Sequence, residues 1–334
     1  MLKLGYKASA EQFGPSDLLR FSVLAEQLGF DSVFISDHFQ PWRHTGGHAP
    51  YSLSWLGALG AKTSRIAMGT SVLTPTFRYH PSLVAQAFGT LGGLFPGRII
   101  LGVGTGESLN EVPALGMSWP EPRERTARLK ESIALIRQLW REERVSFSGT
   151  YYRTEKATIY DKPEAMPAIY IAGAGPLIAK YAGLAGDGFI CTSGKALELY
   201  RETLLPNVAA GLTAAGRSPQ AIDMMIEMKV SFDTNLQRAK DDTRHWSALA
   251  LSPEEKMSVE DPLEMERLAD LLPVERTAKR WIVSNDPDEH VEKIMGYVAM
   301  GFRHLVFHGP GPDQERFLTL YAEHVLPRLR AAAG

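Results

Sequence analysis

Short apolar runs recur along the chain at residues 3–9, 32–37, 66–73, 98–103, 168–172, 188–192, 225–232 and 303–308. Most are nearly continuous rather than alternating, the pattern of strands covered on both faces. Between them lie longer segments with helical spacing, among them 15–28, 81–94, 123–140, 176–184 and 286–300. Several open on Pro, Ser or Asp and close near Gly, the residues that start and stop helices. Eight strands, each followed by a helix, predict an α/β fold closed as a parallel (β/α)8 barrel. The seventh run is rich in Met and has a helical alternative. Two stretches break the alternation. Residues 143–153 contain Val-Ser-Phe-Ser-Gly-Thr-Tyr-Tyr and read as a hairpin inserted before the fifth strand. Residues 249–273 are polar, acidic and punctuated by Pro, and read as an insertion after the seventh. With no internal repeat or low-complexity segment, residues 1–334 are read as one domain.

Composition narrows the function classes. Lys and Arg number 36 against 38 Asp and Glu, a formal net charge of −2. No broad basic field is available for nucleic acid or an anionic membrane, so an anion must be held by a local cluster. The first residues run straight into strand sequence, and no apolar run is long enough to span a bilayer. Cys191, the single cysteine, lies in an apolar run, where a buried core thiol is the expectation. Together these features predict a reducing cytoplasm.

Polar residues collect where the strands end. Ser36-Asp37-His38 closes the second, Thr70 to Thr76 the third, Gly104-Thr105-Gly106-Glu107 the fourth and Thr192-Ser193-Gly194-Lys195 the sixth. In barrel enzymes that carboxyl-end face carries the active site. A carboxylate beside an imidazole can fix the tautomer of a general base, which singles out Asp37 and His38, with Trp42 four residues on. The plainer alternative has His38 bonding loop backbone and Trp42 covering the rim. The glycines before Glu107 are spaced wrongly for a dinucleotide fingerprint and suit a flat ring lying against the barrel mouth. The plainer reading of Glu107 is a carboxylate capping a turn. His44 and His48 have a metal-like spacing, but Gly46, Gly47 and Pro50 argue against the helix it needs, and no metal is expected.

Several blocks resemble the F420-dependent glucose-6-phosphate dehydrogenases, from the first strand to the last helix. They include Lys3 to Phe13, Ser36 to His44, Gly69 to Tyr79, Leu101 to Glu111, Asp187 to Lys195, Lys279 to Val283 and His304 to His308. The resemblance implies a TIM barrel of the bacterial-luciferase-like type and the deazaflavin coenzyme F420. It implies a catalytic group of Asp37, His38, Trp42 and Glu107. The cofactor would be held by Asp37, Ser71, Val72, Thr74, Gly106, Asn110, Ala174, Gly175 and Pro176, with a cis peptide between Ser71 and Val72. A hexose 6-phosphate would meet Trp42 and Thr192, its phosphate binding Lys195, Lys256 and Arg280. A homodimer is implied as well. Met257 stands where mycobacterial-type members carry histidine, which leaves the choice of hexose open. The implied chemistry is hydride transfer from the anomeric carbon, with His38 as base oriented by Asp37 and Glu107 as acid, or the two roles reversed. A flavin monooxygenase or another deazaflavin oxidoreductase on the same barrel would not need the three cations. A non-catalytic deazaflavin-binding protein would not need His38 and Glu107.

Overall fold

The computed structural model describes residues 1–256 and 259–334, so Met257 lies outside the described residues. Among those described are eleven strands: β1 (Lys3–Ala8), β2 (Ser32–Ile35), β3 (Ala67–Thr70), β4 (Ile99–Val103), β5 (Val145–Ser148), β6 (Arg153–Ala157), β7 (Ala168–Ala172), β8 (Gly188–Thr192), β9 (Asp223–Phe232), β10 (Ile282–Ser284) and β11 (His304–His308). Eight of them close a parallel barrel in the order β1-β2-β3-β4-β7-β8-β9-β11 and back to β1. Each predicted strand is present, and the Met-rich seventh run belongs to the ten-residue β9.

Inward positions repeat every second residue, and the barrel interior is layered by them. A polar floor holds Lys3, Ser32, Asp223 and His304, joined by hydrogen bonds. Above it Phe34, Ile100, Tyr170, Ile190, Met225 and Val306 form an apolar layer. Above that, Lys7, Glu227, Lys229 and His308 return to polar chemistry beneath the carboxyl-end mouth. The larger core lies between barrel and helices, where the outward faces of the strands meet buried residues such as Leu18, Phe88, Ile136, Val208 and Tyr321.

The helices Pro15–Gln27, Pro81–Leu94, Pro122–Arg141, Pro176–Ala185 and Pro287–Ala299 coincide closely with the predicted segments. All five carry Pro in the first turn, where its missing N–H costs nothing. Antiparallel β5 and β6 form a hairpin between β4 and β7. After β9, the turns Asp242–Ala250, Pro253–Lys256, Pro262–Asp270 and Val274–Ala278 form a helical segment beside the mouth. The chain then adds β10, a strand not predicted, which extends the sheet by pairing with the end of β9. Three residues carry too little periodicity to register as a strand.

The ends of two strands differ from the prediction. The runs 32–37 and 66–73 read as strand throughout, yet β2 stops at Ile35 and β3 at Thr70. Beyond those points the backbone turns over the mouth, and the Ser71–Val72 peptide is cis. The apolar character of Val72 and Leu73 persists because Leu73 packs back into the core and bridges to Val103.

Candidate active site

A cavity of about 830 Å³ opens at the carboxyl ends of the strands. His38, Trp42, Ser71, Val72, Thr74 and Gly106 line it, with Glu107, Asn110, Ala174, Thr192, Lys195, Lys256 and Arg280. Asp37 also reaches its wall, whereas Gly175 and Pro176 stand behind Ala174 as the N-cap and first residue of the helix Pro176–Ala185.

At one end His38 lies between two carboxylates. Nδ1 is 3.1 Å from Glu11 Oε1, and Nε2 is 3.8 Å from Glu107 Oε2. The Glu11 contact has ion-pair distance without hydrogen-bond alignment, and no loop carbonyl takes the ring nitrogen instead. Burial opposes charge on Glu11, but His38 and Lys7, with hydrogen bonds from its own backbone and Ser36, outweigh it and hold the carboxyl below its ordinary range. Glu107 occupies the N-cap position of the helix Ser108–Leu115 without spending its side chain as a cap. Its carboxylate is about half exposed and available to the cavity.

The expectation that Asp37 orients His38 is corrected. Both Asp37 oxygens are consumed elsewhere, by Ser52 Oγ at 2.6 Å, Tyr79 OH at 3.0 Å and Arg78 Nη2 at 2.9 Å. Arg78 also donates through Nε to buried Glu111, 3.1 Å away. Burial lowers the affinity of this guanidinium for its proton, but Asp37 and Glu111 more than compensate. Adjacent residues on a strand-end point to opposite sides, so a carboxylate next in sequence to His38 faces away from it. Through these bonds Asp37 clamps the mouth and does not orient His38. Replacing Arg78 with Met is expected to cost about 3–5 kcal/mol, because two buried carboxylates lose their counter-charge. Urea unfolding measures this, and a loss below about 1 kcal/mol would contradict the clamp.

The next sector is a flat wall. Lys7 Nζ donates to Ser71 O at 2.7 Å and Ser71 Oγ at 2.6 Å, which fixes the segment carrying Val72 and Thr74. Opposite it, a Cβ on Gly104 would stand 2.7 Å from Val72 Cγ2, and one on Gly106 would stand 3.0 Å from Thr74 and 3.1 Å from Trp119. Gly106 also has φ +84°, a conformation side chains disfavour. These glycines let the loop after β4 close on Val72 and Thr74. Asn110 ties the pieces together, accepting from the backbone of Phe39 and Gln40 and reaching Glu107 at 3.4 Å.

The other end is cationic. Tyr200 OH donates to Thr192 O at 2.7 Å and accepts from Lys195 N, pinning both ends of the loop after β8. Gly194 has φ +74°, and a Cβ there would overlap the Arg280 carbonyl, so glycine allows this loop to seat Lys195 beside Arg280. Lys256 stands over Trp42, its Nζ 4.9 Å from the ring centre. Among the described residues Lys195, Lys256 and Arg280 form no ion pair, and Arg280 Nε is buried without a partner. Burial, then the nearby Arg280, lowers the pKa of Lys195. Burial drives Lys256 down to about 8 against the pull of Glu107, with Lys195, Arg280 and Lys229 adding to the shift.

Glu11, Lys7, Arg78, Glu227, Lys229 and His308 join the site without having been singled out from sequence. The signal for Glu227 and Lys229 was two charges at a period of two inside an apolar strand. Glu11 follows β1 as His38 follows β2, a placement visible only once the mouth is assembled. Cys191 is buried, and burial pushes its thiol up, leaving it inert. Among the described residues no His, Cys, Asp and Glu cluster is placed to hold a metal, and no helix is long and apolar enough to cross a membrane.

Comparison with known proteins gives one consistent answer. The luciferase-like monooxygenase family matches residues 2–304. An F420-dependent glucose-6-phosphate dehydrogenase of Nakamurella multipartita is 66% identical over 100% of this chain and 98% of its own. The same-named protein of Mycolicibacterium smegmatis is 60% identical, with 99% of each chain covered. A solved F420-dependent secondary alcohol dehydrogenase, in complex with an F420-acetone adduct, superposes with a TM-score of 0.92. Its identity is 31%, and 98% of this chain and 99% of that chain are covered.

Proposed function

The chain belongs to the luciferase-like family and, within it, to the F420-dependent glucose-6-phosphate dehydrogenases, and from that premise we propose how its residues divide the work. The enzyme oxidises the anomeric carbon of glucose 6-phosphate to the lactone. F420, when bound, supplies a carbon centre that accepts the hydride as an electron pair. The observation that carries the reading is the placement, in one cavity, of an imidazole between two carboxylates at one end and, at the other, three cations without an ion pair among the described residues.

The flat wall of Ser71, Val72, Thr74, Gly104 and Gly106 fits a planar ring, because the two glycines let the loop after β4 seat directly against Val72 and Thr74. Asn110 and the turn at Ala174, Gly175 and Pro176 complete the proposed cofactor site, and Asp37 supports it through Arg78 and Tyr79. His38 Nε2 takes the proton of the C1 hydroxyl while Glu11, on the Nδ1 side, stabilises the imidazolium that results. Glu107 carries the second proton at its half-exposed carboxyl. Trp42 packs between His38 and Lys256 and excludes water from the sugar. Thr192 orients the sugar, and Lys195, Lys256 and Arg280 hold its phosphate, Arg280 able to give two parallel bonds and the lysines acting as point charges. The resemblance further supports a cytoplasmic homodimer whose protomer is one barrel domain.

Lys256 sets a pH dependence. Its free-enzyme pKa is about 8, so it is charged below that value and neutral above it. Phosphate carries its second charge above about pH 6. kcat/KM for glucose 6-phosphate is therefore expected to be greatest between these limits and to fall as pH rises past about 8. In Lys256→Arg the charge persists, and the alkaline decline should move upward. A decline that stays in place in that variant would remove Lys256 as its source.

A further inference from the structure

One group of charges in the cavity has no role in proton transfer or in the phosphate site. Glu227 and Lys229 are two residues apart on β9 and so face the same way, into the cavity below its mouth. Their side chains are 12% and 5% exposed, and Lys229 Nζ lies 3.7 Å from Glu227 Oε1. That is too long for a hydrogen bond, and among the described residues the ammonium makes none. The carboxylate is approached by Lys7 at 3.5 Å and by His308 Nδ1 at 3.4 Å. His308 packs edge-to-face against the rings of Trp246 and Trp281, with centroids 4.5 and 4.9 Å away.

The Lys229 ammonium lines the cavity with three N–H donors and, among the described residues, no hydrogen-bond acceptor, so it is free to bond an oxygen that enters there. Burial, with Arg280, Lys195 and Lys7 nearby, holds Lys229 down to about 8 despite Glu227. The backbone around the pair is fixed. Lys229 N donates to Ser193 Oγ at 2.8 Å, and Ser193 N donates to Glu227 O at 2.8 Å, which binds this strand to the Thr192–Lys195 loop. The pair also sits on the strand between β8, which bears Thr192, and β11, which leads to β1 and Glu11.

Resting on the substrate reading above, we propose that Glu227 and Lys229 read the hydroxyl face of the pyranose: Lys229 donates to one ring hydroxyl oxygen and Glu227 accepts from a neighbouring hydroxyl. A hydroxyl is donor and acceptor at once, so adjacent positive and negative groups match two neighbouring hydroxyls as neither three lysines nor three carboxylates would. The pair is a specificity-determining element, separate from the phosphate cations and from His38. A site that pairs with hydroxyls discriminates strongly against an analogue lacking one, because its own buried groups are then left unpaired.

The test compares glucose 6-phosphate with its 2-, 3- and 4-deoxy analogues on the wild type, Lys229→Met and Glu227→Gln, with Lys256→Ala alongside. In Lys229→Met, kcat/KM for glucose 6-phosphate should fall roughly 10–150-fold, the usual effect of losing a hydrogen bond to a charged group. For the analogue lacking the hydroxyl that Lys229 contacts it should be unchanged, so the discrimination collapses. Glu227→Gln should relax discrimination at an adjacent position, and Lys256→Ala should lower all four substrates together. Unchanged F420 affinity confirms that a variant is folded. A uniform loss across the four substrates in folded Lys229→Met would make Lys229 another phosphate cation and overturn the proposal. The wild type decides the matter without any variant: equal kcat/KM for all four sugars would mean no hydroxyl is read. A wild type inactive on glucose 6-phosphate itself would instead overturn the substrate reading.

Discussion

His38→Ala is expected to slow reduction of F420 by glucose 6-phosphate roughly 10²–10⁴-fold in a single turnover, the usual worth of one acid–base group, while F420 affinity changes little. Nε2 is the ring atom on the cavity side, and Nδ1 already faces Glu11. In the reading proposed above the C1 hydroxyl proton goes to Nε2, and Glu107, 3.8 Å from it, is the alternative acceptor. Glu11→Gln should also be slow, since it removes the charge that supports a protonated imidazole. Groups acting as one unit are not additive, so adding Glu11→Gln to His38→Ala should cost little more. Asp37→Asn should behave differently, reducing stability through Arg78 more than it slows the chemical step. A His38→Ala enzyme turning over near the wild-type rate would contradict the role given to Nε2.

Much of this arrangement was legible in the chain because a parallel strand is apolar up to the point where it leaves the barrel. His38, Glu107, Thr192 and Lys195 all lie within a few residues of such a point, and all four reach the cavity. The partners of these residues were harder to see. Asp37 was assigned to His38 on adjacency, but adjacency on an extended backbone separates side chains, and Asp37 turns to Arg78 and Tyr79. Glu11 is 27 residues from His38 in sequence and beside it only because β1 and β2 pair in parallel register. Lys7, Glu227 and Lys229 were hidden inside apolar runs, where their burial rests on one carboxylate set between two ammonium groups and on the bonds of Lys7 to Ser71. Of the cations, Lys256 and Arg280 have no local signature. The resemblance named them, and their closeness to Lys195 depends on Gly194 seating its loop against Arg280.

Removing one cation from that cluster should weaken binding of glucose 6-phosphate by roughly 1.5–3 kcal/mol, the contribution of a hydrogen bond to a charged group. That corresponds to roughly a 10–150-fold rise in Kd. Arg280→Met should lie at the upper end, because a guanidinium engages phosphate through two parallel bonds. Its Nε is buried and, among the described residues, has no partner, so a bound phosphate oxygen would supply an acceptor that the side chain otherwise lacks. Lys195→Ala and Lys256→Ala should lie lower, and Lys256→Ala should also weaken the alkaline decline assigned to that residue. Part of the loss is expected in turnover as well as in KM, because binding energy at the remote phosphate helps hold C1 against His38. Glucose, lacking the phosphate, should bind the wild type poorly and respond little to any of the three substitutions. Unchanged Kd for glucose 6-phosphate in both Arg280→Met and Lys256→Ala would place its phosphate elsewhere.

The most direct measurement mixes the purified chain with a stoichiometric amount of oxidised F420 and follows its absorbance without oxygen. Adding glucose 6-phosphate should bleach the oxidised band within one turnover and release one equivalent of lactone, whereas adding glucose at the same concentration should leave the band almost unchanged. Bleaching at comparable rates with both sugars, or a band that persists when glucose 6-phosphate is present in excess, would contradict the assignment of this cavity to a sugar phosphate.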